Sequence, residues 1–167
     1  MSEPSLIELL YGKGAHANPL ACVNDLPAEL AVQRPEKLPH SVWQLVWHMN
    51  YWMEYDLRRV QGQAQRYPAH ASESWPENPA SLTELEWKKE VSRFTTLLAT
   101  LAEMAAWDAE KLARPASPAP AQEGKQDASI LHVLWQIAVH NSYHVGQIAL
   151  VRRVLGACPP RGGGDSW

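Results

Sequence analysis

Apolar residues recur every three or four positions through four stretches of the chain, and nowhere does strict alternation persist long enough to argue a strand. The spacing predicts an all-α protein. The first stretch starts near Pro4 with Leu6, Ile7, Leu9 and Leu10 and is disturbed around Gly12 and Gly14. It resumes at Asn18-Pro19, a cap followed by a good first helical residue, and ends near Leu26-Pro27. The second opens at Ser41 with Gln44 three residues on, a capping-box pattern, and runs to Gln61-Gly62 through Leu45, His48, Met49, Trp52, Met53 and Val60. A connection over 66–80 carries Pro68, Pro76 and Pro79 and leads to a third helix, which Ser81 with Glu84 opens by the same logic. That helix presents Leu85, Phe94, Leu97, Leu98, Leu101 and Met104. Residues 114–127 hold three prolines and almost no apolar bulk, which predicts a mobile surface loop. The fourth helix spans Ala128 to Leu155 and stops at Gly156 and Pro159-Pro160. One domain over 1–158, followed by a Gly/Pro-rich tail over 159–167, is the expected organisation.

The chemistry concentrates on the fourth helix. His140 and His144 sit one turn apart and, at about 100° per residue, share a narrow face with Val133, Ile137, Ile148, Val151 and Leu155. Two imidazoles on a core-facing stripe lose hydration and gain little from each other, whereas one divalent cation accepts both nitrogens. A third histidine, His48, lies near the edge of the apolar stripe of the second helix, among Leu45, Met49 and Trp52. The three suggest a metal site inside a helix bundle, with positions left open to water or substrate as in catalytic centres. Asn141 stands where an HExxH zinc protease needs glutamate, so protease chemistry of that kind is not supported.

Neighbouring polar residues have two readings each. Asp56, two turns after His48 on an otherwise apolar face, needs a partner: an imidazole N–H, or the Arg152-Arg153 end of the fourth helix. Asn141 and Tyr143 either line the pocket or pack on the helix flank, and His16, at the break in the first helix, either leans into the site or stays outside. His132, rotated about 80° from His140, reads as a surface residue, as do His40 and His70. The tryptophans read mainly as core anchors.

Bulk properties narrow the partners. A net charge of −3 with 20% charged residues gives no basic field for nucleic acid or an anionic membrane surface, so neither is expected as a partner. Cys22 and Cys158 lie far apart with no CxxC spacing, which reads as two free thiols in a reducing compartment. There is no basic-then-apolar leader and no run of about 18 apolar residues, which points to a cytoplasmic protein.

His48-Met-Asn-Tyr-Trp52 and the stretch from His140 through His144, Gly146-Gln147 and Arg152-Arg153, together with the pieces from Pro39 to Gln44 and Ser74 to Pro76, resemble the DinB/YfiT-like family of the DinB superfamily. The likeness spans essentially the whole chain. It implies a four-helix bundle with a long crossover between helices two and three, and a divalent metal held by His48, His140 and His144. Zinc or nickel is the leading expectation, with iron or manganese as alternatives. It also implies a homodimer, which the apolar content of the first two helices favours too. Family members of known activity include transferases and isomerases that use low-molecular-weight thiols. Several relatives carry glutamate immediately before the second-helix histidine, where this chain has Trp47, and the general base therefore stays unnamed. The expectation is a metal-dependent enzyme of transferase or hydrolase type that activates a thiol or water toward a small-molecule substrate. The alternatives are a non-catalytic metal- or ligand-binding bundle linked to stress response, and a purely structural bundle.

Overall fold

The computed structural model describes residues 5–63, 66–116 and 128–160. The chain folds into α1 (Leu6–Leu10), α2 (Ala28–Val32), α3 (Val42–Val60), α4 (Glu84–Ala105), α5 (Ala109–Ala113) and α6 (Ile130–Val154), with one 3-10 turn at Ala71–Ser74. Among the described residues there is no strand, only an isolated bridge between Pro115 and Ser129. Helix α3 lies along both α4 and α6, and the short α1 closes against α4 and α6, so these four form the bundle. The segment 61–83 is the long crossover between its second and third helices. Leu45, Met49, Met53, Phe94, Leu98, Leu101, Val133, Leu134 and Ile148 fill the core.

Local chemistry sets the ends of the long helices. Ser41 accepts from the Gln44 N–H at 3.2 Å while the Gln44 side chain accepts from the Ser41 N–H at 3.1 Å, the reciprocal box the spacing predicts. Ser129 caps α6 through the His132 N–H, and Leu155 with Gly156 at φ 70° ends it.

The fold departs from the sequence reading in three respects. Helix α4 is capped by Thr83 with Glu86 rather than by Ser81 with Glu84. The Glu84 carboxylate instead accepts from the Ala28 N–H at 2.7 Å, at the start of α2, whose own N-cap is a proline with no side-chain bond to give. Glu84 thus stabilises a different helix. The stretch after Asn18 forms turns, not a helix. Asn18 does cap it, accepting from Leu20 and Ala21, but the Cys22 carbonyl is taken by Arg152 at 2.8 Å and the Leu26 N–H bonds back to Val23. Finally, α2 and α5 are short helices that periodicity did not announce.

Gly12 explains the break after α1: at φ 77°, a Cβ there would lie 2.7 Å from the His16 ring nitrogen and carbonyl. The predicted mobile loop lies largely at 117–127 and most of the tail at 161–167, outside the described residues. The described margins of the loop are tied together by Ala116 N–H to Ala128 O at 2.8 Å and Ile130 N–H to Arg114 O at 2.9 Å. Among the described residues no helix is long and apolar enough to cross a membrane.

Candidate metal centre

The crossover is laced onto the first two turns of α3. Ser41 donates to the Asn78 side chain at 2.6 Å, Gln44 donates to the Pro76 carbonyl at 2.9 Å, and His48 Nδ1 sits 2.9 Å from the Ser74 carbonyl. Positions 41, 44 and 48 lie on one face of a helix, so the three bonds lay 74–78 along α3. This places the Trp75 indole flat against His48, with ring centroids 3.8 Å apart and planes 8° from parallel. His40 stacks on the other face of the same indole, again at 3.8 Å. Trp75 therefore holds the plane of His48 while Ser74 fixes its rotation.

Helix α6 brings the other two imidazoles to the same point. His48 Nε2 is 3.2 Å from His140 Nε2, and His144 Nε2 is 3.1 Å from that atom. The outer nitrogen of His144 is 2.6 Å from Gln147 Oε1, one turn further along α6. His48 and His144 are buried, and His140 is half-buried on the side facing a cavity.

Hydrogen-bond logic assigns the tautomers. The Ser74 and Gln147 oxygens are acceptors, so Nδ1 of His48 and of His144 carries the proton and each neutral ring turns an Nε2 lone pair inward. His140 Nε2 can satisfy one of these lone pairs with its own proton but not both. A divalent cation satisfies all three. Bonds of about 2.0–2.1 Å put ligand nitrogens roughly 2.9 Å apart at right angles and about 3.3 Å apart at tetrahedral angles. The separations of 3.1 and 3.2 Å fall between those limits. The three histidines form a group that could hold a metal ion, with outer-nitrogen partners of the kind that orient metal-binding imidazoles.

Burial drives the protonation equilibria the same way. It pushes His48 and His144 down to about 4, against the opposing pull of the Ser74 carbonyl and of Gln147, and it lowers His140 too. An unfolded histidine titrates near 6.5, so the unfolded chain binds more protons than the folded one between those values. Stability of the metal-free protein is full above about pH 6.5 and falls as the pH drops toward about 4. Thermal melts in chelator at pH 7, 6 and 5 measure this. Replacing His48 and His144 by phenylalanine is expected to flatten the slope, and an unchanged slope would refute the assignment.

The remaining residues singled out from sequence are placed as follows. Asp56 pairs with Arg59 at 2.7 Å on its own helix, not with Arg152, which is occupied by Asp25 and the Cys22 carbonyl. Asn141 is buried and donates to Met53 Sδ at 3.3 Å, and its side chain also interacts with His140, opposing the downward push of burial on that imidazole. Tyr143 is exposed, but its hydroxyl accepts from Gln147 Nε2 at 3.2 Å, steadying the amide whose oxygen faces His144. His16 bonds the adjacent Ala17 carbonyl at 2.8 Å and is not one of the clustered imidazoles. Ser74, Trp75 and Gln147 were not singled out as partners of the histidines. Gln147 was within reach of sequence, lying at i+3 from His144, but Trp75 was not. Replacing Gln147 by alanine is expected to weaken zinc binding about 10- to 100-fold, read by competition with a chromophoric chelator. An unchanged affinity would remove Gln147 from the site.

A cavity of about 610 Å³ opens between α3 and α6 and reaches His140. A three-imidazole group beside a small-molecule-sized cavity defines the class: a helical bundle built around a candidate metal centre. The DinB superfamily model matches residues 13–148, and the chain belongs to that superfamily. The match contains His48, His140 and His144. Neither the curated proteins nor the solved structures compared with the chain include a match.

Proposed function

We propose that the chain is a metal-dependent enzyme in which His48, His140 and His144 hold one divalent ion, zinc or nickel first. The reaction is of transferase or hydrolase type, with a thiol or water as the attacking group. The observation that carries this reading is the convergence of three Nε2 atoms at the edge of a 610 Å³ cavity, with the outer nitrogens of His48 and His144 held by Ser74 and Gln147. Neutral donors leave the ion its full charge, and when bound it supplies Lewis acidity that lowers the pKa of a thiol or water at its open positions. The protein's part is to keep the imidazoles deprotonated by burial, fix their rotation, and admit the substrate alongside His140. Low-molecular-weight thiols are the cosubstrates to test first. Zinc-loaded protein screened with thiols and small electrophiles is expected to show turnover that chelation abolishes and zinc restores. A tightly held ion with no turnover across such a screen would favour the binding-protein alternative.

A homodimer forms part of this proposal. Helix α6 exposes Tyr143, Leu150 and Val154 on the face opposite its buried one, and a helix apolar on both faces is suited to a second partner. Light scattering at two concentrations tests it, with a monomer at both as the contrary result.

A further inference from the structure

The cavity between α3 and α6 is walled by aromatic rings. Trp52 meets Tyr55 edge-on at 5.4 Å and Tyr67 at 5.6 Å, and Trp135 of α6 lines the same space. Trp135 and Tyr67 are each 45% exposed, so two large rings at its rim lack the cover that core packing gives. Tyr55 adds a further ring to this lining, while its hydroxyl is buried away from the open space.

Charge selects further. Among the described residues lining the cavity, one carboxylate and one guanidinium, Asp56 and Arg59, bond each other at 2.7 Å. Paired, they present no net charge to the cavity, so this wall favours a neutral guest. The volume of about 610 Å³ suits one small organic molecule.

We propose that this cavity binds a neutral, planar aromatic compound, its ring against Trp52, Trp135 and Tyr67. The naming of this ligand as substrate rests on the metal-dependent reading above; the binding site itself does not. One end of the guest would lie beside His140, and the other would face the Asp56–Arg59 pair.

The test titrates 2-naphthol into metal-free and zinc-loaded protein, followed by calorimetry and tryptophan fluorescence. Saturable one-site binding is expected in both forms. Decahydro-2-naphthol, of similar outline but without the π-system, is expected to bind about two- to tenfold more weakly, and Trp135→Ala to weaken 2-naphthol by a similar factor. Trp107→Phe, outside the cavity, serves as the control, and circular dichroism confirms that each variant is folded. Absence of saturation, equal binding of the saturated analogue, or indifference to Trp135→Ala overturns the proposal. Failure of the metal reading shows elsewhere, as zinc content unchanged by His144→Ala, so the two can fail separately.

Discussion

Replacing His144 by alanine is expected to take bound zinc from about one ion per chain to background, with affinity reduced more than about 100-fold. The magnitude follows from geometry. His144 supplies one of three converging nitrogens, and its Nε2 lies 3.1 Å from that of His140. Loss of an outer partner already costs up to about 100-fold, and loss of the donor itself costs more. Mass spectrometry of the purified variant, with a chelator competition for the residual affinity, reads the result. The variant should remain folded in chelator, because the imidazole's bonds to Gln147 and His140 lie at the edge of a bundle whose core residues are untouched. For the same reason zinc should raise the melting temperature of the native protein and leave that of the variant unmoved. Metal content equal to that of the native protein would eliminate the site.

Replacing Arg152 by alanine is expected to cost about 3 kcal/mol of stability and lower the melting temperature by roughly 6–12 °C. Arg152 is 2% exposed, and its guanidinium donates to the Cys22 carbonyl at 2.8 Å, to Asp25 at 2.9 Å and to the Ala157 carbonyl at 3.0 Å. These bonds hold the turns after Asn18, and the chain beyond α6, against that helix. Removing the side chain leaves the Cys22 carbonyl of a fully buried residue without this donor. Asp25, partly open to solvent, loses less, which keeps the cost at the lower end for a broken buried pair. Zinc affinity measured well below the melting temperature should stay within about twofold, because the imidazoles are held by Ser74, Trp75 and Gln147 instead. A melting temperature within about 2 °C of the native value would show that the guanidinium contributes nothing net.

The elements that could be read from sequence are those whose determinants are local. The Ser41–Gln44 box and the Gly156 stop each act within a few residues, so a pattern in the chain is also the physical cause. The i,i+4 pair on α6 belongs to the same kind, since helix period alone puts His140 beside His144. The departures have a common origin in distant partners. Glu84 could have closed a box with Ser81 but bonds Ala28 across the bundle. The stretch after Asn18 forms turns rather than a helix, and Arg152, 130 positions from Cys22, holds it to α6. Asp56 offered two long-range partners and took neither, because Arg59 sits one turn away and satisfies it at no loop-closure cost.

For the candidate site the same division holds. The sequence by itself determined the helical class, both ends of α3, the end of α6 and the pairing of His140 with His144, because helical period and capping act over one or two turns. It also singled out His48, through its place near an apolar stripe and through family likeness. Only the tertiary structure decided that His48 Nε2 comes within 3.2 Å of His140 Nε2, that the crossover lays Trp75 and the Ser74 carbonyl on that ring, and that an aromatic cavity ends at His140. Each of these joins elements 26 or more residues apart. Such contacts depend on how helices pack and how a long connection is tied down, and no local preference of the residues involved encodes them.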